Sequence, residues 1–212
     1  MGELRVAALF SGGGTNLGHL FEAIDAGELR ARIVGAISSK RGVGGIGRAE
    51  RRGVPVYVVA RNELGGGAAF QEAVHEALAA LKPDLVVLCG FLSKLTLREY
   101  SGRAMNIHPT LIPAFCGLGF YGERVHRAVL ESGVKLTGAT VHFCDDEYDT
   151  GPIILQQAVP VLDDDTVSSL AARVQQAECA IYPRAVQLYA EGRLQVRGRR
   201  VHIVGEGSLP PS

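Results

Sequence analysis

Between residues 4 and 89, apolar runs of strand length alternate with segments of helical spacing, which confines the chain to an α/β architecture. Leu4–Phe10 is continuously apolar, as a strand buried on both faces of a parallel sheet must be. Gly12-Gly13-Gly14-Thr15-Asn16 ends it, and Leu17, Leu20, Phe21 and Ile24 then recur with a helical period. Runs at Arg32–Ser38 and Val54–Ala60 flank a charged segment containing Ile46 and Ala49. Gly65-Gly66-Gly67 precedes a helix-spaced set, Phe70, Ala73, Val74, Ala77 and Leu81. Pro83-Asp84 leads into Leu85–Cys89, the clearest buried strand. This rhythm predicts a doubly wound, mostly parallel sheet.

The rhythm changes after about residue 103. Ala104–Ile107 is a short strand, and Pro109 to Gly122 holds too many breakers for a regular element. Leu136–Cys144 and Ile153–Val161 read as longer strands around the loop Asp145–Gly151. A last helix carries Val167, Leu170, Val174, Ala177 and Ile181, with a kink expected at Pro183. Leu194–Val196 and Val201–Val204 form a terminal hairpin about Arg197–Arg200, and a poorly ordered tail is expected at Gly205–Ser212. At ~150 residues per domain, and with no repeat or linker, 212 residues suggest one domain. Its halves would divide near 1–103 and 104–212.

Charge and cysteine usage narrow the function classes. The 22 basic residues balance 22 acidic ones, so no global field draws the protein to nucleic acid or anionic lipid. The basic run Arg197-Gly198-Arg199-Arg200 reads as a solvated turn. No apolar run reaches the ~18 residues of a membrane span, and no signal-peptide pattern is present. Cys89, Cys116, Cys144 and Cys179 are widely spaced, which excludes a zinc ribbon and disfavours a disulfide framework. A cytoplasmic protein is expected.

Gly12–Asn16 lies where the first strand hands over to the first helix, at the edge where open α/β sheets bind ligands. Glycines admit an anion close to the backbone, and a helix N-terminus offers free N–H groups. A dinucleotide fingerprint would need a third glycine where Leu17 stands, and an acid where the second strand ends in Ser38-Ser39-Lys40. A P-loop would need Gly-Lys-Ser or Gly-Lys-Thr, which is absent. An empty tight turn and a cradle for one phosphate monoester remain.

Asn106-Ile107-His108-Pro109 closes a strand at the same edge, and alternation puts Asn106 and His108 on one face. An amide donor beside an imidazolium suits an oxyanion hole, although a lone histidine is as readily structural. Asp149 sits in the acidic loop Asp145–Gly151, whose spacing does not match a calcium loop. A carboxylate beside His108 is expected to raise the imidazole pKa above ~6.5, so that the pair could move protons near neutrality.

These segments, with Thr140-Val141-His142-Phe143, Asp149-Thr150-Gly151-Pro152, Ile154-Leu155-Gln156, and Gln175 with Glu178 through Tyr182-Pro183, fall in an ordered series. The series resembles the phosphoribosylglycinamide formyltransferase family, folate-dependent enzymes of purine biosynthesis, over nearly the whole chain. The resemblance implies a Rossmann-like formyltransferase fold with antiparallel C-terminal strands. It implies formyl transfer from 10-formyltetrahydrofolate, as cosubstrate, to the amine of glycinamide ribonucleotide, with no metal. Gly12, Gly13, Gly14, Thr15, Asn16, Leu17 and Gly18 would cradle the phosphate, and Gln175 and Glu178 would hold the nucleotide. Asn106 and protonated His108 would stabilise the oxyanion, Asp149 would orient His108 and relay a proton, and His142 is either an orienting or a structural residue. Phe91, Leu92, Ser93, Lys94, Leu95, Asn106, Cys144 and Asp145 would bind the folate. Only these two small molecules are implied as partners, for a monomer or homodimer.

Departures from that family fall on the folate side. Leu92-Ser93 stands where better-known members have Met-Arg, and Gly65-Gly66-Gly67 occupies a region where many place an arginine. The loop Phe115–Gly122 is longer than the usual form. Of neighbouring activities, methionyl-tRNA formyltransferases carry a further C-terminal domain and basic surface. Formyltetrahydrofolate deformylases normally add an N-terminal regulatory domain, for which a first strand at Leu4 leaves no room. A non-enzymatic nucleotide-binding module would leave Asn106, His108 and Asp149 without a purpose.

Overall fold

The computed structural model describes residues 2–205, so the tail expected beyond Gly205 lies outside the described residues. Among the described residues nine strands form one sheet: β1 (Leu4–Phe10), β2 (Ala31–Ser38), β3 (Val56–Val58), β4 (Leu85–Leu88), β5 (Ala104–His108), β6 (Leu136–Phe143), β7 (Ile153–Pro160), β8 (Leu194–Arg197) and β9 (Arg200–Ile203). Their spatial order is β3-β2-β1-β4-β5-β6-β7-β9-β8. The first five are parallel, β6 and β7 run antiparallel beyond them, and β8–β9 is an antiparallel hairpin. Among the described residues, no helix is long and apolar enough to cross a membrane.

Continuous apolar strands make sense because the central sheet is covered on both faces. Val6, Ala8 and Phe10 of β1 face one core, and Ala7 and Leu9 face the other. The first core is closed by α1 (Thr15–Asp25), α2 (Gly44–Glu50), α4 (Glu123–Ser132) and α5 (Val167–Ala190). The second is closed by α3 (Gly67–Leu81) and the loop residues Phe91, Leu95, Leu97 and Tyr100. Each fully buried Leu or Phe, such as Leu85 or Phe10, contributes about 1.5–3 kcal/mol.

Two helices were not legible as such. α2 has poor intrinsic propensity, with Gly44, Gly45 and Gly47, and is held by packing. Its Gly45 N–H donates to Gly12 O at 3.1 Å, and a Cβ there would meet the Phe10 ring at 2.6 Å. α4 follows the breaker-rich loop and buries only Val125, His126 and Val129. The third strand is shorter than expected, because the chain turns after Ala60 into a single 3-10 turn at Arg61–Glu63. α5 runs through Pro183, and its buried Tyr182 hydroxyl reaches Leu88 O at 3.0 Å and Met105 O at 3.2 Å. That bond ties the long helix to β4 and β5, at the sheet edge where ligands bind.

Candidate active site

A cavity of about 640 Å³, within the usual range for small-molecule sites, opens at the carboxyl ends of β1, β4 and β5. Gly12 to Asn16 form one part of its wall, and Gln175 and Glu178 of α5 join them. Gly14 takes the left-handed conformation (φ 67°) and starts α1 without a side-chain cap, so the first-turn N–H groups of Thr15, Asn16 and Leu17 have no helical acceptor. Gly18 is different, since its N–H donates to Gly14 O at 3.0 Å and it packs against Arg48. Leu17 buries its side chain completely in the core. Of the expected set Gly12–Gly18, Gly18 thus has its N–H engaged in helical bonding, and only Gly12 to Asn16 line the cavity.

Asn16 Nδ2 donates to Glu178 Oε2 at 3.1 Å. Burial pushes the Glu178 carboxyl up to about 7, despite that bond. A neutral acid at this position offers both an O–H donor and a carbonyl acceptor, a pair suited to sugar hydroxyls.

Ser11 couples this wall to the next. Its Oγ accepts from the Leu92 N–H at 2.9 Å and shares a hydrogen with Ser39 Oγ at 2.6 Å. The segment so anchored, Phe91, Leu92, Ser93, Lys94 and Leu95, lines the cavity together with Cys144 and Asp145. Lys94 pairs with Glu147 at 3.5 Å. Asp145 Oδ1 accepts from the Glu147 N–H at 3.1 Å and the Thr150 hydroxyl at 2.7 Å, which shapes the acidic loop as a turn.

Asn106, His108, His142 and Asp149 converge on the same cavity. Register explains part of this, since Asn106 on β5 lies opposite His142 on β6. Asp149 reaches them from the loop in a left-handed conformation (φ 57°) uncommon for a residue with a side chain. Its Oδ2 lies 3.5 Å from His108 Nδ1 and accepts from the Gly117 N–H at 2.9 Å. Its Oδ1 accepts from Asn106 Nδ2 at 3.2 Å and lies 3.5 Å from His142 Nε2. Burial pushes the Asp149 carboxyl up, but the His142 and His108 rings and the Gly117 N–H together hold it below the usual carboxylate range.

The histidine tautomers follow from their partners. His142 Nδ1 faces Phe143 O at 2.9 Å, so it donates, and Nε2 accepts from Asn106 Nδ2 at 3.2 Å. Both Asn106 amide hydrogens are thereby used, one on Asp149 and one on His142. His108 Nε2 likewise donates to Phe115 O at 2.9 Å, a carbonyl presented by another left-handed residue (φ 51°). The expected rise in the His108 pKa is not what the structure gives. Burial lowers it below its ordinary value, outweighing the upward pull of the Asp149 charge and the Phe115 carbonyl, because the ring is only 4% exposed.

Sequence reasoning missed His126 of α4, which lines the cavity and is likewise lowered by burial. The signal was the pair Val125 and Val129 at helical spacing, bounded by Gly122 and Gly133. It also left open the segment Gly117 to Gly122, which forms a cavity wall.

The profile of the formyl transferase family matches residues 4–186. The chain belongs to that family. A phosphoribosylglycinamide formyltransferase from Haemophilus influenzae is 34% identical over 211 residues, covering 98% of this formyl transferase and 97% of the relative. One from Escherichia coli is 35% identical over 212 residues, covering 98% and 97%. The trifunctional purine biosynthetic protein adenosine-3 of Gallus gallus is 41% identical over 197 residues, and this chain spans only 19% of its length. Among solved structures, glycinamide ribonucleotide transformylase 1 from Symbiobacterium toebii matches with a TM-score of 0.90 and 42% identity, covering 95% of this chain and 94% of that one. A formyltetrahydrofolate deformylase from Pseudomonas syringae has a TM-score of 0.85 at 26% identity, covering 96% and 66%.

Proposed function

We propose that this formyl transferase works as a single domain that moves the formyl group of 10-formyltetrahydrofolate to the amine of glycinamide ribonucleotide, a step of de novo purine biosynthesis. The observation that carries the proposal is the meeting of Asn106, His108 and Asp149 in a cavity walled by both the glycine loop and the Phe91–Leu95 segment. The free N–H groups from Thr15 to Leu17 bind the ribonucleotide phosphate, and Glu178 and Gln175 take the sugar side. Leu92, Leu95 and the Cys144–Asp145 backbone receive the pteridine end of the folate.

Between these two arms the chemistry needs one donor for the formyl oxygen and one group to move a proton. Asn106 supplies the donor by exchanging one of its two present partners for the developing oxyanion. His108 rests neutral, accepts the proton that the attacking amine loses, and returns it towards the departing folate nitrogen. Asp149 stabilises the imidazolium while it exists. No covalent enzyme intermediate is required, because the amine attacks the formyl carbon directly.

The test follows the formyl group with purified protein, with and without glycinamide ribonucleotide. Formylated ribonucleotide and deformylated folate appearing together, and only with acceptor, is the expected result. Formate released regardless of acceptor would establish the second reading, a deformylase, which the Pseudomonas syringae structure keeps in view. His108→Ala should abolish turnover and keep ribonucleotide binding.

A further inference from the structure

A second cavity, of about 690 Å³, lies between α1 and α5, outside the transfer site. His19, Glu22 and Cys179 line it, and one ligand atom of each lies within 4.8 Å of the others. This is the one grouping of three such side chains among the described residues. We propose that it is a binding site for a single borderline-soft divalent cation, Zn²⁺, which would clamp α1 to α5.

Three features support the assignment. The donors are an imidazole, a carboxylate and a thiol, a set that Zn²⁺ accepts and that Mg²⁺ or Ca²⁺ does not favour. His19 and Glu22 are three residues apart on α1 and therefore share one helix face, and Cys179 reaches them from α5. A tetrahedral Zn²⁺ site, with bonds of about 2.0–2.3 Å, places its ligand atoms roughly 3.5 Å apart. The observed atoms lie within 4.8 Å of one another on half-buried and exposed side chains, so metal binding requires them to draw in by about 1 Å.

The third feature is the support behind the imidazole. His19 Nδ1 lies 3.3 Å from Asn16 Oδ1, whose own amide nitrogen is held by Glu178. With Nδ1–H donating to that oxygen, Nε2 keeps its lone pair for a metal, which is the outer-shell arrangement that orients ligating histidines. Glu191 is paired with Arg193 at 3.1 Å, and Glu22 and Glu28 line the cavity together with Arg184, so the carboxylates of the site must outweigh the nearby Arg184 and Arg48. On binding, the S–H bond of Cys179 breaks, a metal–sulfur bond forms and the proton passes to water. Water completes the fourth position.

The test uses the whole protein and two metals. Co²⁺ added to metal-free protein should give one equivalent of a thiolate-to-metal charge-transfer band, displaced by Zn²⁺ and absent from Cys179→Ser. Zn²⁺ at about 100 times its dissociation constant should raise the Tm by about 5–10 °C over the chelated protein, and Cys179→Ser should lose that shift. Equal Tm values for the two proteins in chelator would show that the variant folds normally. Absence of the cobalt band from the wild type, or a Zn²⁺ shift that survives in Cys179→Ser, would overturn the proposal.

Discussion

Asp149 Oδ2 lies 3.5 Å from His108 Nδ1, and both side chains are withdrawn from water, at 10% and 5% exposure. The carboxylate opposes, without cancelling, the effect of burial on the ring. Asp149→Asn removes that support and leaves an oxygen for the Gly117 N–H. Turnover should fall about 10²–10⁴-fold while the fold and the ribonucleotide affinity persist. The acid limb of the pH–rate profile should move lower, since the His108 pKa loses its main upward contribution. Near-normal kcat across neutral pH would remove Asp149 from the mechanism.

Thr15→Glu should separate the two ligands. Thr15 is exposed at the first position of α1, so an acid there suits the helix dipole and should cost no stability. Facing a phosphate at about 4 Å, it would repel by about 1–4 kcal/mol. Calorimetric titration should therefore show ribonucleotide binding weakened about fivefold to several hundredfold, with folate binding unchanged. Equal loss of both would misplace the phosphate.

Glu178→Gln should change how stability depends on pH. The unfolded carboxyl titrates near 4.5 and the folded one near 7, so between those values the native state holds a proton that the unfolded chain has released. Stability from this group is full below pH 4.5, falls as pH rises to 7, and is level above. The lost increment is about 3 kcal/mol. Urea unfolding of ligand-free protein at pH 5 and pH 8 should show the variant gaining on the wild type at the higher pH. The same difference at both pH values would mean that Glu178 is ionised throughout.

Gly14→Ala should damage the glycine loop. The residue sits at φ 67°, and a Cβ there would lie 2.8 Å from the Gly45 backbone. Gly27 has nearly the same φ, 73°, with open space around it, and serves as the control. Gly27→Ala should cost about 1–2 kcal/mol from strain alone. Gly14→Ala should cost more and also weaken ribonucleotide binding, because α2 and the loop must separate. Equal denaturation midpoints for the two variants would argue that α2 yields freely.

Much of this molecule is written locally in its sequence. The parallel half of the sheet follows from Leu4–Phe10 and Leu85–Leu88, because an apolar run with no polar alternation has to be buried on both faces. The glycine loop and the Asn106–His108 pair are legible for the same reason, since the strand–helix junction and the strand period act over a few residues. Tertiary structure decided the rest. α2 forms only because glycines let it close on Phe10 and Gly12, and α4 buries only Val125, His126 and Val129, so its local signal is a single valine pair. The protonation of His108 and Glu178 depends on how completely each is shielded from water. That quantity is set by segments distant in the chain, including the Asp149 loop for one and Asn16 for the other, and no local pattern contains it.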